Sequence, residues 1–599
     1  MAKTSSRKAR SSRKSSLPEW NLGDLYPGPD SSALKKDLAT AEKAAADFHK
    51  RYFGKVGKLS GAALGKAVAE YEAIDERLSR IMSYAQLVHA GDVADPEVGR
   101  FYQTNQEAAT AIAARLVFFT LELNRISDRD LAKKLKSPAL AHYASWIRDV
   151  RVFRDHELGE EMERLLHEKH VAGRAAFNRL FDETMARLRF DLDGKKLTSE
   201  QILHLLSDDD GSKRRKAAKV LGKGLGDNVQ LFSLITNTLA KDKEIEDRWR
   251  RYERPQSSRN RANQVEDEVV DALSSAVQKA YPDLAHRYYR LKAKWFGKRA
   301  LDYWDRNAPL PDGGGRQYDW ADAKNIVLEA YSRFSPELAT VGKKFFDNDW
   351  IDAPARPGKA SGAFAHPVVP SAHPYLLLNY MGRPRDVMTL AHELGHGVHQ
   401  VLAGAQGHLK CGTPLTLAET ASVFGEMLTF RSLLANETDP KLRKAMLASK
   451  VEDMLNTVVR QIAFYEFELR VHNERREGEL SSERICEHWI DVQRESLGPA
   501  IRLHDEYRYY WMYIPHFIHS PFYVYAYAFG DCLVNSLYAV YENAEEGFAE
   551  RYLEMLRAGG TLQHKELLAP FGLDASDPAF WSKGLGIVSG LIDELEGLG

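Results

Sequence analysis

The order of apolar and polar positions predicts a chain built mainly from amphipathic helices. A Pro/Gly-rich lead-in ends at a serine N-cap, and apolar residues then recur at i, i+3, i+4 and i+7 through two long stretches, 62–90 and 98–126. The turn at Asp193-Gly194 predicts a small hairpin, followed by a capped helix that starts at Thr198. Strand-like runs are few: "RALDYWDR", "SGAFAHPVV" and "HPYLLLNY". The predicted fold class is therefore mainly α, with one small β-sheet beside a histidine-rich helix.

The same pattern divides the chain into three regions. Residues 1–16 carry six basic residues and no acidic ones, which predicts a disordered tail; a transit peptide is the alternative, but the stretch lacks an apolar helix face. Residues 17–205 are interpreted as an N-terminal helical domain and residues 206–599 as a second domain that holds the histidine-rich segment. The basic loop 248–263 is interpreted as a solvated surface loop, with a nucleic-acid patch as its alternative.

Composition and charge exclude several classes of partner. The 599 residues include 83 basic and 84 acidic residues, so no global field favours nucleic acid or a membrane surface. Cys411, Cys486 and Cys532 form no CxxC pair, which fits a reducing compartment and excludes a disulfide framework. The apolar runs are too short to cross a membrane. We therefore expect a cytoplasmic protein without a nucleic-acid or membrane partner; the sequence gives no indication of its oligomeric state.

The segment "TLAHELGHGVHQ" (389–400) carries the clearest chemistry. His392 and His396 are four residues apart on a predicted helix, so two imidazole nitrogens can reach one zinc ion. Glu393 is rotated about 100° from His392 around the axis and can address a water molecule rather than the metal. His399 lies roughly 10 Å along the axis from His392, too far to share one tetrahedral ion, and is expected to be a packing or supporting residue.

A third ligand is expected because catalytic zinc normally has three protein ligands and a water. Glu419 lies within an otherwise apolar helical stretch, "PLTLAETASVFGEM", where a carboxylate is costly to bury unless it is paired or metal-bound. Glu426, seven residues further, is expected either to support a ligand or to form a surface ion pair. Chance gives about 0.05 HExxH matches in a chain of this histidine content. A zinc site at His392, His396 and Glu419 is therefore predicted.

These residues resemble the M3 family of zinc oligopeptidases, and within it the oligoendopeptidase F branch. The resemblance rests on residues 362–400, 414–426 and 514–530, the last reading "IPHFIHSPFYVYAYAFG". It implies a two-lobed, multi-helical body around a deep channel, with one zinc ion per chain on its floor. It also implies His392, His396 and Glu419 as ligands and Glu393 as the catalytic base. "HPYLLLNY" resembles the edge strand that pairs with the substrate backbone, and the basic tail has no counterpart in the family.

The aromatic block 514–530 is expected to supply donors to the oxyanion. Tyr523 and Tyr527 share a helix face, whereas Tyr525 points elsewhere, so one helix cannot direct all three tyrosines to the zinc. By resemblance to the family's oxyanion donors, His516 and Tyr525 are favoured as the donors, and Tyr523 is the next candidate. The alternative is that the block packs in the core.

The predicted function is zinc-dependent hydrolysis of internal bonds in short, unstructured peptides. A metallo-exopeptidase acting on peptide ends is the alternative; it requires a charged group that captures the terminus, and the sequence identifies none. A zinc-bound but inactive binding protein has no use for Glu393. A nucleic-acid partner of the basic tail and loop would show salt-sensitive binding.

Overall fold

The computed structural model describes residues 17–170, 172–310, 316–543 and 546–598; the tail predicted for residues 1–16 lies outside this range. The mainly helical fold class is confirmed. The helices before residue 250 are α1 (Ser32–Tyr52), α2 (Gly61–Gly91), α3 (Pro96–Ala114), α4 (Val117–Asn124), α5 (Asp128–Lys134), α6 (Pro138–Ala141), α7 (Ala144–Val150), α8 (Glu160–His170), α9 (Arg174–Arg187), α10 (Ser199–His204), α11 (Gly211–Gly226) and α12 (Val229–Trp249).

Local sequence features account for several of these boundaries. Ser31 caps α1, because its side chain accepts a hydrogen bond from the Leu34 amide. Asp193 and Gly194 both adopt positive φ, 51° and 80°, and form the predicted hairpin turn. Thr198 starts α10 through a reciprocal capping box.

The second half of the chain is also helical. Its helices are α13 (Ser257–Ala262), α14 (Asp267–Ala280), α15 (Ala285–Trp295), α16 (Trp320–Phe334), α17 (Pro336–Asp347), α18 (Pro384–Ala403), α19 (Leu415–Ala418), α20 (Thr420–Asn436), α21 (Pro440–Thr457), α22 (Val459–Glu477), α23 (Ser482–Leu497), α24 (His516–His519), α25 (Tyr525–Glu542), α26 (Phe548–Arg557), α27 (His564–Leu568) and α28 (Pro578–Gly597). A 3-10 helix, Asp505–Tyr513, precedes α24.

The described strands form three small sheets, whereas the sequence predicted the hairpin at Asp193-Gly194 and one sheet beside the histidine-rich helix. They are β1 (Phe190–Leu192) with β2 (Lys195–Leu197), β3 (Leu301–Asp302) with β7 (Ile501–Arg502), and β4 (Ile351–Pro354), β5 (Phe364–His366) and β6 (Tyr375–Tyr380) in the order β4-β6-β5. The strand at residue 301 is thus separate, because its partner comes from a segment about 200 residues away that the apolar pattern did not reveal.

The expectation that "HPYLLLNY" is an edge strand is wrong. This segment is β6, which pairs with β4 on one side and β5 on the other. Tyr375 to Leu378 are all buried, as in a strand covered on both faces. The edge strands of this sheet are β4 and β5.

Two large apolar cores and a small one organise the helices. The first draws on residues between Ala41 and Ile147, and the second on residues between Phe181 and Leu595. The small core joins Tyr84 of α2 to Tyr375 of β6, so the N-terminal helices pack against the three-stranded sheet. The domain boundary near residue 205 stays a prediction. Within the described ranges, no helix has the length and hydropathy of a membrane span.

Candidate metal centre

Helix α18 carries the HExxH segment and begins nine residues before Glu393. It starts at Pro384, and the Asp386 carboxylate accepts hydrogen bonds from the Met381 and Arg383 amides, both at 2.9 Å. Gly395 allows the next element to approach closely: a Cβ there would lie 2.4 Å from the Ala421 carbonyl oxygen. The start of α20 therefore lies directly against α18, and Glu419 immediately precedes it.

The structure brings the three predicted ligands together. The Nε2 atoms of His392 and His396 lie 3.3 and 3.4 Å from Oε2 of Glu419. One ligand atom from each residue lies within 4.8 Å of the other two. Burial opposes ionisation of Glu419, but its hydrogen bond with His392 and the charges of both histidines lower its pKa to about 2. Glu419 is therefore an anionic ligand at neutral pH.

Glu426 supports His392 and does not form a surface ion pair. Its Oε2 lies 3.2 Å from His392 Nδ1, and its Oε1 accepts a hydrogen bond from Lys450 Nζ at 2.6 Å. Lys450 is only 6% exposed, so the pair is internal. A carboxylate on the far nitrogen fixes the imidazole tautomer and directs Nε2 toward the ligand cluster. This resolves the choice that the sequence left open for Glu426.

Glu393 faces a cavity that two of the predicted ligands also line. With His392 and Glu419 it lines a space of about 640 Å³, here called the glutamate cavity. Burial raises the pKa of Glu393 to about 7, although the charge of His392 opposes the shift. A carboxylate whose pKa is near neutrality can both accept and return a proton.

His399 lies further along α18, on nearly the same face as His392. It is 6% exposed, and burial lowers its pKa to about 4, so its imidazole is neutral. With His396 it lines a space of about 720 Å³, here called the histidine cavity, which also contains His373 and His408. Among the described residues, His399 is not part of the group that could hold a metal.

Two tyrosines and a histidine of the aromatic block lie together. The His516 ring lies 6.0 Å from that of Tyr523, and the Tyr523 ring lies 5.3 Å from that of Tyr527. His516 Nε2 is 3.3 Å from the Tyr527 hydroxyl. Tyr527 lines the glutamate cavity with His392 and Glu393. Burial raises the pKa of Tyr527 to about 12, so its hydroxyl stays protonated.

The structure does not bring Tyr525 to this cavity. Its side chain is fully buried, and its hydroxyl accepts a hydrogen bond from Asn263 Nδ2 at 2.9 Å. The sequence preference for Tyr525 therefore needs correction, and the hydroxyl that faces the site is that of Tyr527. The shared face of Tyr523 and Tyr527 was the available sequence signal, and Tyr527 was the member of that pair not chosen.

Residues distant in sequence fix the turn that orients this block. Phe522 adopts a left-handed backbone, with φ of 59°, which is strained for an aromatic residue. Its amide donates to Glu468 Oε1 at 2.9 Å, and Arg259 Nε donates to the Pro521 carbonyl at 3.3 Å. Sequence analysis missed these supports because nothing in local spacing links residues 259 and 468 to residue 522.

Comparisons with known proteins identify the family to which the chain is similar. Peptidase family M3 matches residues 204–587, and Oligopeptidase F matches residues 122–190. Oligopeptidase PepF of Bacillus subtilis (strain 168) is 26% identical over 592 residues, covering 97% of this chain and 87% of that protein. The plasmid oligoendopeptidase F of Lactococcus lactis subsp. cremoris is 26% identical over 547 residues, covering 88% of each.

Solved structures share the fold. A candidate peptidase from Chlamydophila abortus superposes with a TM-score of 0.85 at 22% identity, covering 97% of this chain and 98% of that one. Oligoendopeptidase-F from Enterococcus faecium superposes with a TM-score of 0.70 at 23% identity, covering 94% and 97%.

Proposed function

Because the chain belongs to peptidase family M3 and is a metallopeptidase, we propose that it is a zinc-dependent oligoendopeptidase that hydrolyses internal bonds of short, unstructured peptides. The observation that carries the proposal is the convergence of His392, His396 and Glu419 beside Glu393, which faces the adjoining cavity. The three cysteines of the chain form no disulfide bond, which fits a cytoplasmic location.

The donor set fits zinc. Two imidazole nitrogens and one carboxylate oxygen are ligands that zinc prefers, and three protein ligands leave one position open for water. The Glu426 carboxylate on His392 Nδ1 is the support that metal-binding histidines usually have. When bound, zinc lowers the pKa of a coordinated water to about 7 and polarises the scissile carbonyl.

The chain's own residues perform the proton transfers. Glu393 accepts the proton of the attacking water and returns it to the leaving amine. Tyr527 donates a hydrogen bond from its hydroxyl to the oxyanion that develops on the carbonyl oxygen. His516 orients that hydroxyl from 3.3 Å away. The exposed edge of β5 is the strand on which an extended peptide can pair, since Gly362 and Ala363 just before it line the glutamate cavity.

The cavities support internal cleavage. The glutamate cavity of about 640 Å³ contains His392 and Glu393, and the histidine cavity of about 720 Å³ contains His396. The ligand cluster thus borders two cavities, which gives a peptide room to extend in both directions from the reacting bond. An exopeptidase needs room for only one or two residues on one side.

A peptide blocked at both ends tests the proposal. The protein is incubated with an acetylated and amidated octapeptide that carries an internal quenched fluorophore pair, with and without a chelator. We expect internal cleavage that the chelator abolishes and zinc restores, with close to one zinc per chain by metal analysis. If only peptides with a free end are cut, one or two residues at a time, the protein is an exopeptidase. Full activity in chelator with no bound metal would refute the zinc centre.

A further inference from the structure

A cavity of about 260 Å³ beside the candidate active site contains two arginines, Arg306 and Arg460. Tyr303, Tyr507 and Tyr513 also line it; we call it the arginine cavity. None of these residues takes part in the proton transfers described above. The cavity is large enough for a carboxylate together with an amino-acid side chain.

The arginine cavity carries positive charge that the described residues do not neutralise. Within the described ranges, neither Arg306 nor Arg460 forms an ion pair. Glu452, whose charge acts on Arg306, accepts a hydrogen bond from Lys292 at 2.5 Å, and Asp305, which precedes Arg306 in sequence, accepts one from Arg214 at 2.7 Å. Half-buried cations without a counter-charge are costly, and an anionic ligand removes that cost.

The geometry suits a carboxylate in particular. A guanidinium presents parallel N–H groups that match the two oxygens of a carboxylate. Arg460 lies over the ring of Phe464, 4.9 Å from its centroid, which holds the guanidinium plane and leaves its edge available to a ligand. Tyr513 adds a hydroxyl to the same wall. Arginines and a tyrosine together can satisfy several lone pairs of one carboxylate.

The arginine cavity adjoins the place of peptide cleavage. Asn456 and Thr457, at the end of α21, line the glutamate cavity, whereas Arg460, near the start of α22, lines the arginine cavity. Burial lowers the pKa of His516 and the charge of Arg460 adds to this shift, so the guanidinium lies near the His516 imidazole. Tyr513 also precedes His516 by three residues, and His516 contacts Tyr527. The arginines therefore lie near enough to the bond that Glu393 faces for one short peptide to reach both cavities.

We propose that Arg306 and Arg460 bind a carboxylate of the substrate peptide and thereby fix its distance from the cleaved bond. The inference rests on the proposed peptidase function. The carboxylate can be the peptide's C-terminus or an aspartate or glutamate side chain near it. Anchoring of this kind limits the length on the carboxyl side of the cut while still allowing an internal bond to be hydrolysed.

Matched peptides test this anchor. Three versions of one quenched octapeptide are compared: a free C-terminal acid, its amide, and an amide whose last residue is glutamate. We expect the wild-type kcat/KM to be about 10–100-fold higher for the free acid than for the plain amide, as one charged hydrogen-bonded contact provides. If kcat/KM for the glutamate amide equals that for the free acid, the site binds a side-chain carboxylate. If it equals that for the plain amide, the site binds the C-terminal carboxylate.

Variants assign the effect to the arginines. Arg460→Met should abolish the preference for the acid by weakening cleavage of the acid peptide while leaving the plain amide nearly unchanged. Arg306→Met is the second variant if the first fails to fold. Arg316→Met is the matched control: its guanidinium also lies over an aromatic ring, 5.5 Å from the centroid of Tyr318, but in a separate cavity. The control should keep the full preference.

A binding measurement separates this inference from the proposed reaction. Calorimetric titration of the Glu393→Gln protein with the acid and amide peptides requires no turnover. Tighter binding of the acid by about 10-fold or more supports the anchor even if no peptide is ever cut. Equal affinity for acid and amide, or an equal loss on both in Arg460→Met, overturns it even if cleavage proceeds as proposed.

Discussion

Replacing each of the three tyrosines of the aromatic block by phenylalanine distinguishes a catalytic hydroxyl from a structural one. Tyr527 lines the glutamate cavity and contacts His516, whereas the Tyr525 hydroxyl is bound to Asn263 in the core. Phenylalanine preserves each ring and its packing, so the change tests the hydroxyl alone. We expect Tyr527→Phe to lower kcat and Tyr525→Phe to lower stability.

The expected loss is in kcat for Tyr527→Phe and in the free energy of unfolding for Tyr525→Phe. Loss of one preorganised oxyanion donor costs about 10²–10³ in kcat with little change in KM. The pKa of Tyr527, raised to about 12 by burial, keeps this hydroxyl a donor throughout the working pH range. Tyr525→Phe instead leaves the Asn263 amide without its partner in a fully buried position, which costs about 1–3 kcal/mol of stability. Its kcat should change by less than about 10-fold, since the hydroxyl does not reach the cavity.

Measurements of kcat, KM, zinc content and thermal midpoint for the three variants decide the assignment. Tyr523→Phe should give a smaller loss than Tyr527→Phe, because Tyr523 is not among the described residues that line the glutamate cavity. The reasoning from cavity position is refuted if Tyr525→Phe loses kcat by 100-fold with its zinc and stability intact while Tyr527→Phe remains active. If all three variants stay active, the aromatic block packs in the core and supplies no hydroxyl to the reaction.

Four further predictions concern the ligands, their support, a buried acid and substrate size. Glu419→Ala should lose zinc, whereas Glu393→Gln should keep zinc and lose most turnover; metal analysis showing the reverse would exchange their roles. Glu426→Gln should weaken zinc affinity about 10–100-fold in a chelator competition, because it alters the carboxylate on His392 Nδ1; an unchanged affinity would contradict that support. Burial raises the pKa of Glu468 to about 8, so its contribution to stability is fully present below its unfolded pKa of about 4.5 and is lost as pH rises through about 8. The thermal midpoint of Glu468→Gln should therefore fall less between pH 5.5 and 8.5 than that of the wild type. Equal falls would count against a protonated Glu468. Short peptides should be cleaved and folded proteins spared, so efficient digestion of a large folded protein, followed by gel electrophoresis, would argue against an enclosed site.

The parts of the site that were predictable from sequence are those that local geometry determines. The i, i+4 spacing of His392 and His396 fixes their shared face on α18, and the cost of burying a lone carboxylate identified Glu419. The hairpin at Asp193 and Gly194 followed from turn chemistry in the same way. Each of these conclusions depends on residues within one or two turns of each other.

The parts that were not predictable depend on contacts between distant segments. β6 lies at the centre of its sheet because β4, about 25 residues earlier, pairs on its free side; β4 was not recognised as a strand, and β6 was taken for an edge. The partner of Glu426 is similar: Lys450 lies on another helix, so spacing alone could not separate a buried support from a surface ion pair. The apolar pattern indicates which face is buried but not which segment covers it.

The choice between Tyr525 and Tyr527 depends on one backbone conformation. Tyrosines two residues apart in a helix point about 200° apart, so the direction in which the chain enters α25 decides which of them faces the ligands. That direction is set at Phe522, whose left-handed φ of 59° is held by Glu468 and by Arg259 through the Pro521 carbonyl. A strained residue persists only where its surroundings fix it. The oxyanion donor is therefore specified by residues 259 and 468, which touch neither the ligands nor the cavity that Tyr527 lines, and a change at either should act on catalysis through the orientation of this turn.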